Sequence, residues 1–160
     1  MNSIPAFIPA SPARVEISYP LPDVLEGLLD PTDYRKWLHA KAVAHVRRDS
    51  ERWGRRLSIS TYKQAIHRAV CEHDGTDPYT GERLQWELSG TYDNTQSKAG
   101  GSTYKRGFRL LPTIDHENNA PAEAPLFRVL SWETNDAKND MSPEAFIDLC
   151  KRVASRAQPL

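Results

Sequence analysis

Apolar positions recur at three- and four-residue steps across residues 33–53. Tyr34, Trp37, Leu38, Ala42, His45, Val46 and Trp53 fall on one stripe, the period of a helix with a single buried face. Thr32 or Asp33 is the expected cap of that helix. A second helical stretch, 61–73, carries Tyr62, Ala65, Ile66, Ala69 and Val70 on one face, with Ser60 as its expected cap. A shorter pattern from Val24 to Leu29 stops at Asp30-Pro31, because the residue before proline disfavours the helical region. At Asp74 the character changes. Asp74 to Gly81 is dense in turn formers, and Leu84, Trp86 and Leu88 then alternate as in a strand. Residues 89–102, rich in Ser, Thr, Asn and Gly, predict a flexible loop. Residues 108–114 and 126–130 are strand candidates, joined by a Pro- and Ala-rich connection at 120–125. Residues 135–140 predict a short helix. Ser142-Pro143-Glu144 then opens a last helix, 143–156, with Phe146, Leu149, Cys150 and Val153 as its expected core face. Five prolines interrupt every apolar run of residues 1–22. That segment is expected to be an extended arm packing through Ile4, Phe7 and Ile8, with an edge strand near 15–18.

Composition narrows the class. A chain of 160 residues, 39% hydrophobic, with a mean hydropathy of −0.64, can bury one core. No run approaches the ~20 apolar residues of a membrane span, so no membrane partner is expected. The first basic residue is Arg14, and no continuous apolar stretch follows it, so no signal peptide is expected. Two cysteines, Cys71 and Cys150, are too few for a disulfide framework, and reduced thiols in the cytoplasm are expected.

The 21 basic and 21 acidic side chains cancel, which argues against a protein that coats nucleic acid indiscriminately. Their distribution is uneven. Residues 33–73 hold ten basic and four acidic side chains, net +6, and Arg47, Arg48, Arg52, Arg55 and Arg56 are half of those bases. From Lys98 to Arg109 there are four bases (Lys98, Lys105, Arg106, Arg109), no acid, and two aromatic residues, Tyr104 and Phe108. Such a stretch can neutralise phosphates. The arginine run by itself reads equally as a solvated helix face.

Just after that basic stretch, Asp115-His116 ends the first C-terminal strand, and Asn135 follows nineteen residues after His116, in Asn135-Asp136-Ala137-Lys138-Asn139-Asp140. Strand, Asp-His, connection, strand, then a helix with Asn-x-x-Lys-x-Asp resembles the HNH endonucleases, or ββα-metal nucleases, over about residues 71–153. Tyr79-Thr80-Gly81-Glu82-x-Leu84 resembles the segment ahead of the catalytic hairpin in many members. The resemblance implies an α+β protein with a helical N-terminal layer (23–73) packed on a C-terminal ββα-metal (HNH) core (74–160). It implies a metal-dependent endonuclease that hydrolyses DNA phosphodiester bonds. His116 would be the general base, and Asp115 and Asn135 would hold one divalent ion. Products would carry 5′-phosphate and 3′-hydroxyl ends.

The residue types suit that chemistry. A histidine exchanges a proton near neutral pH, and a hard cation prefers oxygen donors. Mg²⁺ or Mn²⁺ is the expected ion, with Zn²⁺ and Ni²⁺ as alternatives. Lys98, Lys105, Arg106, Arg109 and Lys138 are the expected nucleic-acid contacts. Adjacent strand residues point to opposite faces, so Asp115 and His116 need a bend to reach one phosphate. Other roles stay open. Asn135 or Thr134 can cap the helix, Asn139 is a rival ligand, Asp140 can pair with a nearby base, and Trp86 and Trp132 read as core. His39, His45, His67 and His73 show no metal-ligand spacing. Two departures from the family's pattern stand out. The chain lacks the paired Cys-x-x-Cys motifs of a structural zinc knuckle, and Leu126 falls near the family's middle Asn. The missing middle Asn and the neutral overall charge favour a second reading, an HNH-derived module that binds nucleic acid or a protein partner without cutting; a protein partner or a homodimer stays open as company for the chain.

Overall fold

The computed structural model describes residues 18–54, 57–117 and 124–157. Among them are five α-helices and one two-stranded antiparallel sheet, an α+β arrangement that is mostly helical. The arm's packing residues, the Arg55-Arg56 pair, and Asn118 through Glu123 lie outside the described residues. Ser18, the end of the expected edge strand, is not in a strand.

The first helix, α1 (Pro31–Trp53), begins earlier than the apolar stripe suggests. Asp30 is its cap, accepting from the Thr32 amide at 2.7 Å, and Pro31 occupies the first position, where an N–H has no helical partner anyway. Gly54, at φ 64°, closes it in the left-handed conformation. The second, α2 (Ile59–Cys71), is capped by Ser58 and not by Ser60; the Ser58 hydroxyl accepts from the Thr61 amide at 3.1 Å. Tyr34, Leu38 and Ala42 of α1 meet Tyr62, Ile66 and Val70 of α2 in the core. Each large apolar side chain buried there contributes about 1.5–3 kcal/mol.

The Leu84–Leu88 alternation survives in burial but not as a strand. Leu84 and Trp86 are buried, Gln85 and Glu87 face outward, and Trp86–Leu88 forms a 3-10 turn. The Trp86 ring meets Trp37 of α1 at 5.1 Å, so the segment is held by a helix rather than by a neighbouring strand. The expected flexible loop is instead a helix, α3 (Asn94–Arg106), kinked at Gly101 (φ 55°). Local propensity is overridden there by a cap and an aromatic cluster. Asp93 accepts from the Gln96 amide at 2.7 Å, and Tyr92, Tyr104 and Phe108 pack ring to ring.

Residues 107–110 form turns, and β1 (Pro112–His116) starts at the proline. It pairs with β2 (Phe127–Ser131) in regular register, Asp115 opposite Arg128 and His116 opposite Phe127. Ser131 caps the short α4 (Trp132–Lys138), accepting from the Thr134 amide at 3.1 Å. The last helix, α5 (Pro143–Arg156), has the expected bounds and cap, Ser142. Its expected core face is not buried. Val153 is 62% exposed, and Phe146 is only half-buried, its ring against Tyr79 at 5.3 Å. No described helix is long and apolar enough to cross a membrane.

Candidate functional site

The regular β1–β2 register decides the site. Strand residues alternate between faces, and directly paired residues share one. Pro112, Ile114 and His116 therefore share the face of Phe127 and Val129, which joins the core of α1 and α2. Asp115 shares the opposite face with Arg128, and α4 covers it. The bend that would bring Asp115 and His116 together is not present in the ladder.

On the α4 face, the Lys138 ammonium lies 2.8 Å from an Asp115 carboxylate oxygen. The Lys138 side chain is 3% exposed, and its ammonium is engaged in this ion pair. Asn135 sits one turn earlier on α4, half-buried; it is not the cap, which is Ser131. Asp140 pairs with Arg52 at 3.4 Å, the basic partner anticipated for it. Leu126 is exposed, and its carbonyl accepts from the Glu117 amide at 3.0 Å, one step beyond the ladder.

On the other face, His116 Nε2 lies 3.0 Å from Asp49 Oδ2. Asp49 is fully buried on α1 and also accepts from the Tyr62 hydroxyl. His45, one turn before Asp49, is 3% exposed. Its ring meets His116 at 5.2 Å and Phe127 at 4.9 Å, and Trp53 covers His116 at 5.5 Å. Burial pushes the His45 imidazole down to about 3, helped by the charge of Arg48, while a hydrogen bond with the Ile114 backbone pulls weakly the other way. The ring is therefore neutral at physiological pH. One nitrogen of His45, one of His116 and one Asp49 oxygen all lie within 4.8 Å of one another.

Sequence reasoning placed His45 on the buried stripe but gave it no metal role, and it did not weigh Asp49. A signal was available. His45-x-x-x-Asp49 is an i, i+4 pair on the inward face of a helix, where an acid needs a partner.

The two faces meet at the end of β1 in an open cavity of about 550 Å³. His116, Arg128 and Lys138 line it, together with the start of α5 at Ser142. The basic stretch before β1 divides. Lys98, Lys105 and Arg106 are exposed on α3. Arg109 is engaged elsewhere, with both Glu82 oxygens at 2.9 and 2.5 Å and with Glu133 at 3.4 Å. That fork joins the Tyr79–Glu82 segment to α4. Asp77 makes a second junction between them. It is fully buried, accepting from the Tyr79 and Thr80 amides at one oxygen and from the Ser131 amide at 2.7 Å at the other. Burial alone would raise its carboxyl, but the Ser131 hydrogen bonds, backed by those of the turn, hold it below the usual range.

Comparison with protein-family models, curated proteins and solved structures finds no match for this chain.

Proposed function

We propose that the protein is a metal-dependent endonuclease of the ββα-metal type, hydrolysing DNA phosphodiester bonds with His116 as general base. The observation that carries this reading is the β1–β2–α4 unit itself. An antiparallel hairpin ends its first strand in Asp115-His116, and the helix that follows bears Asn135 and packs on the Asp115 face. The donor set fits a hard divalent cation, since Asp115 and Asn135 offer oxygen. Lys138 already sets one positive charge against Asp115, so an ion there would take over that position. When bound, the ion would offset charge growing on the phosphate oxygens. Asp49 fixes the His116 ring through Nε2, which leaves Nδ1 for proton transfer. Exposed Lys98, Lys105 and Arg106 are cations available to DNA, and Arg128, paired with Glu117 at 3.5 Å, lines the cavity.

The test is nicking of supercoiled plasmid with Mg²⁺ or Mn²⁺. His116→Ala is expected to lose about 100-fold or more. No cleavage of plasmid, single-stranded or branched DNA with either ion would overturn the reading, as would full activity in His116→Ala. A second reading, binding without cutting, is favoured by the Asp115–Lys138 pair and by Leu126. It predicts salt-sensitive retention of DNA with no product.

A further inference from the structure

We infer that His45, Asp49 and His116 form a binding site for one divalent transition-metal ion of the Zn²⁺ class, on the face of β1 opposite Asp115. This goes beyond the nuclease reading and does not depend on it.

Three observations support the site. First, the donor atoms converge: all three lie within 4.8 Å of one another, and the His116–Asp49 pair is at 3.0 Å. Ligands about 2.0–2.1 Å from a tetrahedral ion sit roughly 3.3 Å apart, so adjustments of no more than about 1.5 Å complete the set. Second, His45 Nδ1 is buried and has no hydrogen-bond partner among the described residues. Buried polar nitrogens are almost always satisfied, and an ion between the rings would satisfy this one. Third, the surroundings are those of a metal ligand shell. The Tyr62 hydroxyl already donates to Asp49, and Phe127 and Trp53 wall the site.

Two imidazoles and one carboxylate select a borderline transition ion over Mg²⁺ or Ca²⁺, which prefer six or more oxygens. Three protein ligands leave a fourth position open. Of the three ligands, His116 also lines the cavity at the end of β1. An occupied site takes His116 out of proton-transfer service, so Zn²⁺ is expected to suppress any Mg²⁺-dependent cleavage.

Calorimetry of Zn²⁺ on the full chain, paired with X-ray absorption of the zinc-loaded wild type, tests this directly. One ion per chain is expected, with two imidazole nitrogens in its shell. Binding is expected to weaken about 100-fold or more in His45→Gln and His116→Gln and to persist in Asp115→Asn. The absorption spectrum needs no variant, so a folding defect at His45 does not remove the test. An all-oxygen shell, binding that survives both histidine changes, or no binding at all would overturn the site. Zn²⁺ binding lost in Asp115→Asn alone would also overturn it, while supporting the ion position of the nuclease reading.

Discussion

The two faces of β1 carry adjacent residues into opposite environments. His116 enters a layer closed by two long helices, where Asp49, itself held by the Tyr62 hydroxyl, meets it and His45, Phe127 and Trp53 surround it. Asp115 faces a helix of seven residues and holds one buried lysine beside an open cavity. The pleat therefore separates an imidazole backed by a carboxylate from a carboxylate clamped by an ammonium. Chemistry that needs both residues must work around the strand end, where the cavity reaches His116 and Lys138 together.

The largest effect is expected on the His116 face. Asp49→Ala removes the acceptor of both Tyr62 and His116 from the interior and should cost about 3–5 kcal/mol in urea unfolding. A loss under 1 kcal/mol would mean that this face is held by apolar packing alone. On the other face, Lys138→Met leaves the Asp115 carboxylate, 17% exposed, without its cation. The expected loss is smaller, about 1–3 kcal/mol, because the Asp115 side chain is partly exposed and regains water. Adding Asp115→Asn should restore part of it, and a coupling near zero in the double-mutant cycle would break the pairing argument. Under the nuclease reading the single variant also frees Asp115, so Mn²⁺ affinity should rise.

Much of this contrast was legible in the sequence, and its limits have physical causes. The stripes of α1 and α2, the hairpin and the start of α5 at Ser142-Pro143 follow from period and capping, which are local. The alternation rule already implied that Asp115 and His116 diverge; only the family resemblance supplied a bend. Three features were decided by distant partners. Residues 94–106 are helical because Tyr104 and Phe108 fold back on Tyr92, and Trp86 turns away from a strand because Trp37 receives it. Asp49 looks like one of several charges on a basic helix until α2 and β1 place Tyr62 and His116 against it. The apolar side of α5 misled in the other direction, since amphipathic spacing gives a face without saying whether anything covers it.

Asp77 sharpens the comparison through pH. It ties the 77–81 turn to the junction of β2 and α4, the helix that packs over Asp115. Its folded carboxyl titrates below the ordinary value of 3.8. The stability it contributes is complete above that value and is lost as pH falls through the lowered folded value. Asp77→Asn should lower stability at neutral pH by about 1–2 kcal/mol and flatten the acid limb of a pH–stability curve below about pH 4. A wild-type curve and a variant curve that stay parallel through the acid range would remove Asp77 from this role.

The smallest effect separates cations that hold the fold from cations free for DNA. Arg109 and its two glutamates are about 40–60% exposed, so the network is screened, and Arg109→Gln should cost no more than about 1 kcal/mol. Because its guanidinium is already committed to Glu82 and Glu133, the same change should barely alter DNA affinity at moderate salt. Lys105→Gln with Arg106→Gln should do the reverse, leaving the melting temperature unchanged while weakening DNA binding and lowering its salt slope by about 1–2. Fluorescence anisotropy across a salt series reads both. If Arg109→Gln weakens binding as much as the double change does, the basic stretch acts as one surface and the division drawn by the ion pairs does not govern DNA contact.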